Sequence, residues 1–145
     1  MKIAIVGDMH IGARNASMVY AEYHISFFEK TLFPAMKEQG ISSIIQTGDI
    51  FDSRKTINIQ LLNEWKKRVF DVMGNHDCLF KNVNDINSPI LLLNEYENIT
   101  VFDSCKEHIF DKTKVAFIPW INQTNYDESL TFINKSSSKV AFAHF

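Results

Sequence analysis

The chain has 145 residues, 46% of them hydrophobic and 22% charged, which fits one globular domain with a hydrophobic core or part of a larger protein. The formal net charge of -2 shows neither a basic excess nor an acidic tail, so it neither supports nor excludes a nucleic-acid partner. No apolar run approaches the roughly 20 residues of a membrane span and no signal peptide precedes the first strand, so we expect no membrane contact and a cytoplasmic location.

The N-terminal part predicts a strand, a helix and a second strand. Residues 2–7 predict a buried strand, because Ile3, Ala4, Ile5 and Val6 run without polar interruption. A helix follows from about Met18 to Lys37, with Pro34 expected to kink it and Gly40 to cap its end. Its predicted apolar stripe is Tyr20, His24, Phe27 or Phe28, Leu32 and Met36. A strand at 41–47 then fits a crossover to a parallel neighbour of the first strand.

The remaining elements are shorter, and two places indicate absent residues. A helix over 57–72 runs almost directly into Gly74, which leaves no room for a connecting strand, so we expect residues to be missing near 73–74. The chain also stops directly after a strand, so we expect 1–145 to be an incomplete domain. The other predicted elements are a helix at 89–96, a strand at 99–102, a hairpin at 108–119, a helix to about 134 and a strand at 140–143.

Polar residues cluster at four points along this pattern. The clusters are Asp8-Met9-His10, Gly48-Asp49-Ile50-Phe51-Asp52, Gly74-Asn75-His76-Asp77 and His144 after the last strand. Each cluster alone is compatible with ordinary turn chemistry. Because carboxyl ends of parallel strands share one edge of a sheet, we expect Asp8, His10 and Asp49 to lie together.

The residue types at these points favour a metal site. Carboxylate, imidazole and amide groups suit Mn²⁺, Fe²⁺ or Zn²⁺. Two ions about 3.5–4 Å apart can hold a phosphate and activate water for in-line attack. Asp49 is the candidate to bridge them, and His76 could then protonate the leaving oxygen or stabilise the transition state.

In this order the motifs resemble the first three signatures of the calcineurin-like metallophosphoesterase superfamily. The resemblance implies an α/β (α+β) fold, a β-sandwich flanked by helices in αββα layers, of which this chain is the N-terminal portion. It implies two divalent ions, Mn²⁺ above all, with Fe²⁺, Zn²⁺ and Mg²⁺ as alternatives. The implied metal ligands are Asp8, His10, Asp49, Asn75 and His144, and the implied catalytic residue is His76. The later Gly-His-x-His signature is not in this sequence.

The residues around the motifs narrow the resemblance. Asp8–Gly12, Gly48–Lys55 and Ile118-Pro119-Trp120 are similar to the SbcD family, bacterial and phage relatives of the Mre-type repair nucleases. This implies a Mn²⁺-dependent DNA endo- or exonuclease subunit for break repair or recombination, in a bacterium or phage-infected cell. It also implies an SMC-like ATPase partner and a homodimer.

Several assignments stay open at this point. Some relatives have histidine at position 52, so Asp52 either orients His76 or caps its loop, and Asp77 is a further candidate neighbour of the ligands. A phosphomonoesterase or Ser/Thr protein phosphatase would use the same motifs. A non-catalytic, metal-dependent binding module is the third alternative.

Overall fold

The computed structural model describes residues 1–53, 57–70, 77–81, 97 and 99–143. These residues form two sheets. The first sheet is parallel and contains, in spatial order, β1 (Ala4–Val6), β2 (Ser43–Gln46), β3 (Asp77–Lys81) and β4 (Ile99–Phe102). The second contains β5 (Lys106–Phe110), β6 (Thr113–Ile118) and β7 (Val140–Ala143), with β5 antiparallel and β7 parallel to β6.

Helices connect these strands. They are the short turn α1 (Ala13–Ala16), α2 (Met18–Phe27), α3 (Phe33–Gln39), α4 (Ile59–Trp65) and α5 (Tyr126–Lys135). A π-helical turn, Phe28–Leu32, joins α2 to α3, and a second, Lys66–Phe70, continues α4. In the part of the chain that the structure describes, no helix is both long and apolar enough to cross a membrane. The predicted helix at 89–96 lies outside the described residues.

Strands were predicted well wherever an apolar run was bounded by polar residues. The structure confirms the strands at 99–102 and 140–143, and it places β1 and β2 inside the predicted ranges. It also confirms that the first two strands are parallel neighbours, with Ala4 opposite Ile44. The predicted hairpin is formed by β5 and β6.

Strand β2 separates two hydrophobic cores. Ile44 faces a core shared with the helices, where it is clustered with Ile25, Trp65 and other buried residues. The next residue, Ile45, faces a second core that includes Phe117 of the other sheet. Successive strand residues point to opposite faces, so the two sheets pack against each other and the helical segments at 18–39 and 59–70 cover the outer face of the first. This arrangement confirms the predicted layered α/β fold.

The predicted stripe of the long N-terminal helix was partly wrong. Phe28, one of the two alternatives given for its turn, and Met36 are buried as predicted, but Tyr20 is exposed. The core is instead contacted by Ala21 and Ile25. A uniform four-residue spacing winds around an α-helix by about 40° per step, so it cannot stay on one face for four steps.

Two single residues mark the course of this helical segment. Pro34 lies in the first turn of α3, directly after the π-helical turn, where its missing N–H is tolerated. Gly40 ends α3 with a φ of 64°, the left-handed conformation that favours glycine. The predicted C-cap is therefore confirmed, and the chain turns there towards β2.

Arg68 connects the two helical segments on their outer side. Its guanidinium donates to both carboxylate oxygens of Glu29, at 2.8 and 2.6 Å, and to both of Glu22, at 2.5 and 3.0 Å. These hydrogen bonds hold the pKa of each glutamate below its ordinary value of 4.5. Because a bidentate pair fixes relative orientation, Arg68 fastens the turn after α4 to α2 and the turn that follows it.

We expect Arg68→Ala to lower the melting temperature at pH 7 by about 3 °C, the effect of a modest ion-pair network in a domain of this size. The two glutamates have lowered pKa values, so their contribution is complete above pH 4.5 and is lost as the pH falls further. Calorimetry should therefore show the difference from the wild type shrinking between pH 5 and 3. The exposed Lys67→Ala is the control, and a difference that persists at pH 3 would contradict the argument.

Candidate metal centre

The loop after β1 and the loop after β2 are joined by their backbones. The hydrogen bonds run from Asp8 N–H to Gly48 O (3.2 Å), His10 N–H to Asp49 O (2.9 Å), Ile11 N–H to Ile50 O (2.7 Å) and Asp52 N–H to Ile11 O (3.0 Å). Ile11 and Phe51 also form a parallel β-bridge. The strand pairing of β1 and β2 is thus prolonged past the strand ends. This fixes the polar residues of one loop against those of the other.

Three of the predicted ligands meet at this junction. Asp8, His10 and Asp49 each offer one ligand atom, and these atoms all lie within 4.8 Å of one another. Asp8 is exposed, whereas His10 and Asp49 are half-buried. Two carboxylates and an imidazole are a donor set that fits a divalent cation such as Mn²⁺, Fe²⁺ or Zn²⁺. The structure therefore brings together the three residues that the sequence placed at this edge.

The same three residues share an uncommon backbone conformation. The φ values of Asp8, His10 and Asp49 are 51°, 43° and 50°, in the left-handed region that non-glycine residues rarely adopt. Such conformations cost of order 1–3 kcal/mol each and persist only where surrounding structure imposes them. Here the hydrogen bonds between the two loops impose them, and the result is that all three side chains point to one place.

Gln46 is a residue that the sequence interpretation did not identify. Its side chain is 1% exposed and bonds both backbone groups of Gly48: Nε2 donates to the carbonyl oxygen, and Oε1 accepts from the N–H at 2.8 Å. A polar residue at the end of an apolar strand, two positions before the Gly-Asp pair, was the only available signal. Gln46 holds the turn that presents Asp49.

Gly7 allows the two strand ends to approach. A Cβ atom at this position would lie 2.8 Å from Oγ1 of Thr47, closer than real Cβ contacts. Thr47 is tied to the first strand by a hydrogen bond from its N–H to Val6 O at 2.9 Å. A larger residue at position 7 would therefore displace the Thr47 side chain between the strands that carry Asp8 and Asp49.

Asp52 lies beside His10. Its Oδ1 atom is 3.5 Å from Nδ1 of the imidazole, and both side chains are between two-fifths and one-half exposed. The sequence left open whether Asp52 orients His76 or caps the loop. The structure shows a different neighbour, which sequence spacing did not reveal because it depends on the pairing of the two loops.

The third motif is placed differently from the first two. Asp77 is the first residue of β3 and pairs with Ser43, the first residue of β2. Asp49 follows the other end of β2, and the length of that strand alone separates its ends by about 10 Å. Parallel strands begin at one edge of the sheet and end at the opposite edge. Asp77 begins its strand, whereas Asp8 and Asp49 follow the ends of theirs, so Asp77 lies away from the cluster. Asn75, His76 and His144 lie outside the described residues.

Comparison with known proteins agrees with this fold. The family model for calcineurin-like phosphoesterases matches residues 1–144, and the chain belongs to this family. Exonuclease subunit 1 of Enterobacteria phage T4 is 32% identical over 155 residues, which cover all of this chain and 45% of that protein. The chain thus spans less than half the length of this relative. The alignment is 155 positions long, ten more than the 145 residues of this chain. The phage protein therefore has additional residues inside the aligned region.

One of two similar solved structures shows the same fold at low sequence identity. An archaeal phosphodiesterase gives a TM-score of 0.52 at 15% identity, with 97% of this chain and 70% of that chain covered. The E. coli phosphoesterase Yfce gives 0.41 at 12% identity, with 85% of this chain and 65% of that chain covered. The first of these likenesses supports the layered fold described above.

Replacing Gln46 with methionine, which has a similar volume, should lower the free energy of unfolding by about 1–3 kcal/mol, because the buried N–H of Gly48 loses its partner. It should also weaken Mn²⁺ binding, since the turn before Asp49 is released. Urea denaturation and titration calorimetry measure the two effects. Gln60→Met, at an exposed position of α4, is the control. Unchanged metal affinity in Gln46→Met would show that the turn holds Asp49 without it.

Replacing Asp8 with glycine should stabilise the metal-free protein by about 1 kcal/mol while weakening Mn²⁺ binding. Glycine adopts a φ of 51° without strain, and the change also removes one of two neighbouring carboxylates. Denaturation in the presence of EDTA measures the stability. Asp8→Asn separates the effects, because it removes the charge and keeps the strained backbone. A less stable Asp8→Gly protein would contradict the account of strain.

Proposed function

We propose that this chain is the catalytic part of a Mn²⁺-dependent DNA nuclease subunit that hydrolyses phosphodiester bonds during break repair or recombination. The observation that carries the proposal is the convergence of Asp8, His10 and Asp49 at one edge of the first sheet. Membership of the phosphoesterase family supports a phosphate ester as the substrate. The likeness to a phage exonuclease subunit supports a nucleic acid over other esters.

In this proposal Asp8, His10 and Asp49 hold the metal centre on the side that the structure describes. Asn75 and His144 would supply the remaining ligands that the chain offers, and Asp49 would be shared between two ions. A divalent cation at such a site supplies positive charge for a phosphate oxygen and activates water for attack. Mn²⁺ fits the donor set, and Fe²⁺, Zn²⁺ and Mg²⁺ are alternatives.

Residues of the chain contribute in three ways. Asp8, His10 and Asp49 provide two carboxylates and a ring nitrogen in a fixed arrangement, so little reorganisation is needed when the cation and a phosphate arrive. Gln46 and the loop-to-loop hydrogen bonds keep that arrangement rigid. His76 would donate a proton to the leaving oxygen or stabilise the transition state. Because Asp77 begins β3 at the far edge, it has no role in this proposal.

The proposed partners follow from the relatives. The phage protein is a subunit by name, which supports a second subunit, and an SMC-like ATPase is the partner that the sequence resemblance implies. A homodimer and a cytoplasmic location rest on the same resemblance. The net charge of -2 leaves DNA binding to local groups and bound cations.

The competing function is hydrolysis of phosphomonoesters, including phosphoserine and phosphothreonine in proteins. It would use the same three ligands, so the described site does not separate the two. A binding module without catalysis would also keep the ligands. The phosphodiesterase alternative is preferred because the relative with 32% identity is an exonuclease subunit.

The deciding experiment is cleavage of linear duplex DNA by the full-length protein with Mn²⁺, with a phosphomonoester assayed in parallel. We expect DNA cleavage that is lost in Asp49→Ala together with metal binding. His76→Ala should lose at least about 100-fold in rate, the usual contribution of a general acid, and should keep its metal affinity.

The possible outcomes separate the alternatives. Phosphomonoester turnover without DNA cleavage would move the protein to the phosphatase branch. Metal binding with neither activity would favour the binding module. Normal turnover in His76→Ala would refute its catalytic role, and normal metal affinity in Asp49→Ala would refute the metal centre itself.

A further inference from the structure

One ring nitrogen of His10 faces the protein without a hydrogen bond. Nδ1 is shielded from solvent, and within the described part of the chain it has no hydrogen-bond partner. The side chain as a whole is nevertheless 43% exposed. Because Nδ1 contributes almost nothing to that exposure, the exposed part consists of other side-chain atoms. Nε2 is then the ring nitrogen that remains for a ligand.

Asp52 is placed to become the missing partner of this nitrogen. Its Oδ1 atom lies 3.5 Å from Nδ1, which is longer than a normal hydrogen bond between nitrogen and oxygen. The backbone of Asp52 is held by its N–H bond to Ile11 O at 3.0 Å, whereas its side chain is 44% exposed. A small rotation of the carboxylate would close the distance without moving either loop. Hydrogen bonds at functional sites are often long until the ligand is present.

We propose that Asp52 is a positioning residue that accepts a hydrogen bond from Nδ1–H of His10 and thereby presents Nε2 of this ring to the divalent cation. The inference rests on the proposed function, because the cation is that of the candidate metal centre. A histidine that binds a metal through one nitrogen usually donates its other N–H to a carboxylate, a carbonyl or water. Such a bond fixes both the tautomer and the orientation of the ring.

The sequence suggested that Asp52 either orients His76 or caps its loop, and the proposed role differs from both. Its carboxylate acts on His10 of the first loop, whereas its backbone belongs to the second loop. The hydrogen bond from Asp52 N–H to Ile11 O already ties these loops together. The side chain would add a second connection between them, which acts directly on the metal ligand.

Nitrogen NMR on the metal-free, full-length protein tests this role first. Long-range spectra report which nitrogen of His10 carries the proton. The wild type should show the Nδ1–H tautomer. Asp52→Ala should shift the ring towards Nε2–H, and Asp52→Asn, which keeps an acceptor oxygen, should retain Nδ1–H. His10→Ala identifies the resonances.

Titration calorimetry with Mn²⁺ alone tests the consequence for binding. Asp52→Ala should bind about 10- to 100-fold more weakly than the wild type, the usual effect of removing such a partner. Asp52→Asn should recover most of the affinity, and Asp127→Ala, an exposed carboxylate of α5, should match the wild type.

The inference and the proposed function fail in different ways. An Nε2–H tautomer in the wild type, or an Asp52→Ala protein with unchanged tautomer and affinity, overturns the role of Asp52 and leaves the metal centre intact. If the wild type binds no Mn²⁺, the proposed function is overturned. The proposal that Asp52 presents Nε2 to a cation then falls as well. A loss of affinity that Asp52→Asn does not recover would assign the effect to charge and overturn the positioning role.

Discussion

The site depends on the backbone hydrogen bonds that continue the pairing of β1 and β2 beyond the ends of both strands. Parallel pairing alone would bring the two loops to one edge of the sheet, but it would leave their side chains free to point in different directions. The bond from His10 N–H to Asp49 O and its neighbours fix the loops residue by residue. Two side-chain features support this geometry. Gln46 holds the turn at Gly48, and the missing side chain of Gly7 leaves room for that of Thr47. The candidate metal centre is thus built mainly by main-chain geometry.

This construction concentrates destabilising features at one place. Asp8, His10 and Asp49 have left-handed backbones, and two of them are carboxylates whose charges repel without a cation. A bound cation would remove the repulsion, so metal binding and folding should support each other. The surrounding cores supply the rigidity, because β2 is buried on both faces and holds Ile44 in one core and Ile45 in the other. A loosely packed strand could not sustain the strained loops that follow it.

Sequence reasoning succeeded where a local pattern determines the structure. Apolar runs bounded by polar residues gave the strands, Gly40 gave the helix end, and the rule for parallel strands grouped Asp8 with Asp49. It did not reveal the roles of Gln46 and Asp52, because their partners are defined only once two loops meet. It also did not anticipate that β3 begins at Asp77.

The paired π-helical turns restrict how the lengths of the two helical segments can change. Phe28 and Met36 are eight residues apart, as are Leu61 and Val69, yet all four contribute to the same core. In an uninterrupted α-helix, residues eight apart point about 80° away from each other. A single deletion within either turn would rotate the helix downstream of it by about 100° and turn its buried residues away from the core. Related chains that keep this layer should therefore vary here by substitution, and gaps in their alignments should fall in the connections between elements.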